Sequence, residues 1–266
     1  MLIPKQDGKG NKQTRTLNYL ILKGNAMRDT FDNIILIGRP AAGKSEVIDF
    51  LKKTPVEERK QRFHIGEFVE LDDFPMLWQW FEQDAILEKI MNKPRMQTDK
   101  DGYFLHEQQW HMLIERLSLD YSKFKRDYQD DPDSPTALIE FARGSEHGGF
   151  KTAFQHLSDD ILKTGVIIYI HVTWEESLYK NRRRFNPDRP DSILEHGLPD
   201  EKLERLYKES DWDEIAAQDP DFIQIKGHKV PYGVFMNIPE KTDDPAKIGP
   251  HLEEITAKLW KLKHGG

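Results

Sequence analysis

IILIGRPAAGKSEVIDFL, Ile34 to Leu51, decides the reading of this chain. Four apolar residues, Ile34–Ile37, lead into Gly38; Gly43 follows five positions later, then Lys44 and Ser45. A short apolar run bounded by glycine reads as a buried strand, and the two glycines let the backbone turn where a side chain would interfere. Glu46 to Leu51 then places Val47, Ile48 and Leu51 at helical spacing. The expected order is strand, glycine loop, helix.

Gly38-Arg39-Pro40-Ala41-Ala42-Gly43-Lys44-Ser45 fits the pattern G-x-x-x-x-G-K-[ST] in the context that the pattern requires. Such a loop turns backbone N–H groups toward a phosphate chain, and the helix that follows adds the positive end of its dipole. All eight residues are therefore expected around ATP. Lys44 bridges the β- and γ-phosphates, and the Ser45 hydroxyl ligates Mg²⁺. No guanine-reading NKxD segment accompanies the loop.

Composition sets the frame around this motif. A chain of 266 residues with 37% hydrophobic content buries a core for one large domain. A net charge of −7 argues against general nucleic-acid binding, which relies on a basic surface. With no cysteine there is neither a disulfide framework nor a thiolate nucleophile or ligand, which points to a cytoplasmic protein. No run approaches the roughly 20 apolar residues of a membrane span. The polar leader, residues 1–31, reads as a flexible extension to a domain over 32–266. A homodimer is left open.

Five apolar runs read as buried, mainly parallel strands: Ile34–Ile37, Phe68–Leu71, Ala137–Phe141, Val166–Val172 and Val230–Met236. Helical or polar material separates them, so the expected fold is α/β, a three-layer arrangement with helices on both faces of a five-stranded sheet. Two gaps exceed one crossover. Residues 76–132 carry two helical patterns and read as a helical substrate-binding insertion; residues 182–215, charged and interrupted by Pro187, Pro190 and Pro199, read as a lid.

The second strand ends in Asp72-Asp73-Phe74-Pro75. At the carboxyl end of a parallel strand beside the phosphate loop, a carboxylate is placed to accept the proton of an attacking hydroxyl. With this segment the chain resembles the P-loop nucleoside and nucleotide kinase superfamily, whose uridine kinase and nicotinamide riboside kinase branches carry a strand-end D-[DS]-F segment. The resemblance gives Asp72 the role of catalytic base and makes Asp73 its acceptor-side neighbour. Pro75 departs from the aromatic usual there.

Glu140 and Arg143, at the end of the third strand, are similar to the Glu-Arg pair of deoxynucleoside kinases, although Phe141 and Ala142 intervene. Glu140 is expected near Mg²⁺, and Arg143 on acceptor or phosphate oxygens. Arg182, Arg183 and Arg184 end a helix leading into the lid; successive helical residues diverge by about 100°, so they cannot all face one site, and Arg182 is the favoured catalytic arginine. Trp78, Trp80, Phe81 and Tyr103 either stack on an acceptor ring or fill a core, with Trp78 and Tyr103 as the substrate-binding candidates.

Two functions follow from these residues. One is a kinase moving the γ-phosphoryl of ATP to a nucleoside, nucleotide or similar small acceptor. The other is a nucleotide-dependent switch or regulatory ATPase that acts on a protein partner.

Overall fold

Strand β1 (Asn33–Gly38) is buried along its whole length at the centre of a six-stranded sheet in the computed structural model, which describes residues 28–128, 131, 133–184 and 197–265. The other strands are β2 (Phe68–Asp72), β3 (Thr136–Phe141), β4 (Gly165–His171), β5 (Phe222–Ile225) and β6 (His228–Met236), in the order β2-β3-β1-β4-β6-β5. Five are parallel. The sheet has one strand more than the sequence suggests: β5 joins β6 as an antiparallel edge. At four residues, with Gln224 exposed among apolar neighbours, β5 offers too short a pattern to stand out in a charged region.

Helices cover both faces, which is why the central strands read as unbroken apolar runs. On one face Ile35, Ile37, Ile139, Phe141 and Ile167 pack against α4 (Gln108–Asp127) and α5 (Gly149–Gln155). On the other, Ile34, Leu36, Leu138, Ile168 and Ile170 pack against α1 (Lys44–Lys53), α2 (Val56–Phe63) and α10 (Pro245–His264). Alternate residues of each strand serve alternate layers. The remaining helices are α3 (Phe74–Lys89), α6 (Asp159–Thr164), α7 (Trp174–Arg184), α8 (Asp200–Tyr207) and α9 (Trp212–Ala216).

Helices α3 and α4 lie between β2 and β3 and meet α8 in a smaller third core built on Trp80, Trp110, Leu113, Leu203, Leu206 and Tyr207. This core stands beyond the sheet's carboxyl edge, where α/β folds place their ligands. No helix among the described residues is long and apolar enough to cross a membrane. Residues 1–27 of the expected leader and 185–196 of the expected lid lie outside the described residues. Residues 28–31 belong to the folded domain: Phe31 is buried, its N–H donates to the His64 carbonyl at 2.9 Å, and Arg28 donates to the Ser134 carbonyl at 2.6 Å.

One buried carboxylate fixes the connection from α3 to α4. Asp84, only 1% exposed, accepts from the N–H groups of Met96, Gln97 and Thr98 at 2.9, 2.8 and 2.6 Å and from the Thr98 hydroxyl at 2.7 Å. Burial pushes its pKa up, but these bonds outweigh it and hold the carboxyl below its ordinary value. Asp84→Ala leaves the buried Thr98 N–H and the half-buried N–H groups of Met96 and Gln97 without their acceptor and is expected to cost about 2–4 kcal/mol in denaturant unfolding, with faster proteolysis across residues 91–105.

Candidate active site

The phosphate loop joins β1 to α1. Its path needs positive φ at Ala41 (57°) and Gly43 (113°), and a Cβ at Gly43 would come within 2.7 Å of the Thr242 side chain. A Cβ at Gly38 would lie 2.7 Å from the Ile170 carbonyl. Neighbouring elements hold this winding in place. Asn237, fully buried just after β6, donates to the Ala42 carbonyl at 2.8 Å and accepts from the N–H groups of Lys241 and Thr242 at 2.7 and 3.2 Å. From α7, the Ser177 hydroxyl donates to the Pro40 carbonyl at 2.8 Å. Neither residue stands out in the sequence, because each acts on a loop more than 100 positions away.

At the carboxyl ends of three adjacent strands the acidic residues come together. Asp72 pairs in register with Glu140, and Glu140 with Leu36, two residues before the loop begins. The buried ammonium of Lys44 lies 3.8 Å from Glu140 and donates to the Arg39 carbonyl at 3.3 Å. Burial, followed by the charges of Glu140 and Asp73, pushes Asp72 up to about 7; the Phe74 N–H bonded to it at 3.0 Å and Lys44 oppose the shift. Glu140 is also raised, chiefly by burial, with Lys44 pulling the other way. A carboxylate that titrates near neutrality beside a phosphate loop has the properties of a general base.

β2 ends at Asp72, and Asp73 already has the helical backbone of the N-cap of α3 (φ −80°, ψ −17°). Strand alternation therefore does not part the two carboxylates, and both line a cleft of about 1010 Å³. Pro40, Ala41, Ala42, Lys44 and Ser45 line its phosphate side. The opposite lobe is walled by Phe74, Leu77, Trp110 and Tyr207 around Arg143. Arg143 is 5% exposed and makes an ion pair with Asp73 at 2.7 Å, while also donating to the Trp110 carbonyl at 3.2 Å and lying over the Trp110 ring.

The structure brings Lys44, Ser45, Asp72, Asp73, Glu140 and Arg143 into this one cleft. Arg182 is a correction: its helical phase turns it outward to Asp200, at 2.6 Å, and Arg183 and Arg184 face the cleft instead. Arg184 bonds Glu46 of α1 at 3.0 Å. Trp78 and Tyr103 are corrections too. Tyr103 packs on the third core beneath Lys202 and Arg205, Trp78 lies 6.0 Å from the Phe74 ring, and neither lines the cleft. The Arg39 side chain also turns away from the phosphate side.

The donor set fits a magnesium ion shared with phosphate oxygens. Ser45 and Glu140 offer hard oxygen ligands, and a cation would offset the like charges of Asp72, Asp73 and Glu140. Among the described residues, no group of three or more His, Cys, Asp or Glu side chains converges to hold a metal on its own. Magnesium in such sites keeps waters and phosphate oxygens in its shell.

No protein-family model matches the chain, and no curated protein matches it. Among solved structures it is similar to the shikimate kinase from Acinetobacter baumannii in complex with shikimate, at 19% identity and a TM-score of 0.32, over 66% of this chain and 73% of that one. A superposition that loose adds nothing to the geometry. Sheet order, the strand-loop-helix at residues 33–53 and the helices on both faces define a three-layer α/β fold with a glycine loop at the carboxyl end of its central strand.

The Asp72 shift carries a stability consequence. The folded carboxyl stays protonated to about 7, whereas an unperturbed Asp titrates at 3.8. Its contribution is therefore complete below the lower value and is lost as pH rises through the higher one. Asp72→Asn, which mimics the protonated form, is expected to stabilise the fold at pH 8 by on the order of 2–4 kcal/mol and to change little at about pH 4, as read by denaturant unfolding at both pH values.

Proposed function

We propose that this chain is an ATP-dependent kinase that transfers the γ-phosphoryl group to a hydroxyl of a small acceptor carrying no net charge. The observation that carries the reading is the convergence in one cleft of the phosphate-loop lysine, an acidic strand end titrating at about 7 and a separate aromatic lobe. A switch needs the first of these and not the other two.

In this reading Lys44 and the loop N–H groups hold the β- and γ-phosphates, and Arg183 and Arg184 add positive charge from α7. Ser45 and Glu140 would hold Mg²⁺, which supplies charge neutralisation at the phosphates when bound. Asp72 accepts the acceptor's hydroxyl proton as the new O–P bond forms and the bond from the γ-phosphorus to the bridging oxygen breaks; ADP takes that electron pair, and the proton passes from Asp72 to solvent.

The preference for an uncharged acceptor follows from Arg143. Its charge is already met by Asp73, and both side chains are buried. An anionic acceptor would have to displace that carboxylate and leave it unpaired, which costs several kcal/mol. A hydroxylated molecule with a flat apolar face instead meets Trp110 and Phe74 and leaves the pair intact.

ADP release with Mg·ATP and matched acceptors, each nucleoside or sugar beside its phosphorylated form, tests the reading. Turnover is expected with uncharged members. Hydrolysis indifferent to every acceptor and raised by a protein partner would defeat the kinase reading in favour of a switch. Lys44→Ala is expected to weaken ATP binding or turnover at least tenfold, on the order of 1.5 kcal/mol or more. Asp72→Asn is expected to lower kcat about 100-fold or more with little change in ATP affinity, and Asp73→Asn to cost far less.

A further inference from the structure

Arg39 is the second cation of the phosphate loop, and its side chain is not part of the cleft wall. The guanidinium donates instead to the carbonyls of Tyr207 and Lys208, the latter at 2.7 Å, at the C-terminal end of α8. A helix C-terminus concentrates partial negative charge and carbonyls without intrahelical donors, so a guanidinium is well matched to it.

That helix end also builds the acceptor lobe. Tyr207 lines the cleft, and the Leu206 carbonyl packs so closely on Gly144 that a Cβ there has no room. The next residues bind the same loop: the Ser145 N–H donates to the Glu209 carbonyl at 2.9 Å, and Arg205 pairs with Glu146 at 2.8 Å. Gly144 directly follows Arg143. A continuous set of contacts therefore runs from the phosphate loop through Arg39 and the end of α8 to the Asp73–Arg143 pair.

The main chain of Arg39 gives this path a trigger. Its carbonyl accepts from the Lys44 ammonium at 3.3 Å, so one residue holds the catalytic lysine by its backbone and the acceptor wall by its side chain. A polyphosphate competes for Lys44, and when the ammonium moves onto phosphate oxygens the Arg39 carbonyl loses one of its two donors and keeps the Ala42 N–H at 3.2 Å.

We propose that Arg39 is a positioning residue that couples nucleotide binding to the acceptor lobe: closure of the loop on the phosphates tightens the seat of α8, so the lobe takes its working shape on the nucleotide-bound enzyme and ATP binds before the acceptor. The proposal rests on the kinase reading of the cleft. It assigns to Arg39 a task on the acceptor side, in contrast to the phosphate contact its place in the motif suggests.

The test uses Mg·AMPPNP as the probe and needs no acceptor. Hydrogen exchange is followed across residues 144–147 and 203–209 of the full chain, with AMPPNP affinity measured in parallel by calorimetry. In the wild type, saturating Mg·AMPPNP is expected to slow exchange in both segments by about fivefold or more. In Arg39→Ala the slowing is expected to vanish while the AMPPNP Kd stays within about threefold. Gly144→Ala, which disturbs the seat of α8 without touching the loop, is expected to give the same loss and serves if Arg39→Ala is misfolded by circular dichroism. No slowing in the wild type, or slowing retained in both variants, overturns the coupling. A tenfold loss of AMPPNP affinity in folded Arg39→Ala overturns it as well, by making Arg39 a phosphate ligand. Failure of the wild type to bind Mg·AMPPNP would instead bring down the kinase reading on which the coupling rests.

Discussion

A lysine ammonium held 3.8 Å from a half-buried glutamate organises the carboxyl edge of this sheet. Lys44 is 7% exposed, and Glu140, Asp72 and Asp73 crowd the same edge, so the protein keeps three acidic groups next to one another where water screens them poorly. Lys44 offsets part of that charge, Arg143 offsets Asp73, and protonation relieves Asp72 at neutral pH. The arrangement is costly in the free protein, and a bound cation with its polyphosphate would remove the cost. Strain of this kind is common where a fold is shaped for a ligand rather than for its own stability.

The phosphate loop depends on its surroundings in the same way. Within residues 38–44 the Ala42 N–H donates to the Arg39 carbonyl at 3.2 Å, and further definition of the path comes from outside the loop. Asn237 and Ser177 supply that definition from β6 and α7, and Thr242 leaves no room for a Cβ at Gly43. Arg39 adds a third tie, to α8. The loop is thus anchored to α7, to α8 and to the residue that follows β6, which stand on different sides of the cleft.

Legibility in the sequence tracked the range of the interactions. Strand, loop and helix at Ile34–Leu51 are local, and the glycines, the lysine and the apolar spacing announce them; the apolar runs of β3, β4 and β6 are equally plain because burial leaves few polar interruptions, while β2, half-buried with Glu70 exposed, shows a weaker one. β5 was not legible, since four residues paired only along one edge carry almost no pattern. Arg182, Arg183 and Arg184 look alike in sequence, and which of them faces the cleft depends on the phase of α7, where one residue is a rotation of about 100°. Trp78 and Tyr103 show the limit from the other side: aromatic residues in an insertion look alike in sequence, while the residue that reaches the cleft, Trp110, is set by how α4 packs on α8.

Asp73 joins these threads. As N-cap of α3 it ends β2, which frees it from strand alternation and lets it stand beside Asp72 in the cleft. Its partner Arg143 stacks on Trp110 and sits one residue before the glycine that receives α8. A single side chain thereby links the strand end that carries Asp72, the helix that carries Trp110 and the helix tied to Arg39. Removing its charge while keeping its shape, as in asparagine, leaves the packing but frees the Arg143 guanidinium, so the charge on this side of the cleft is set by the pair and not by the fold around it.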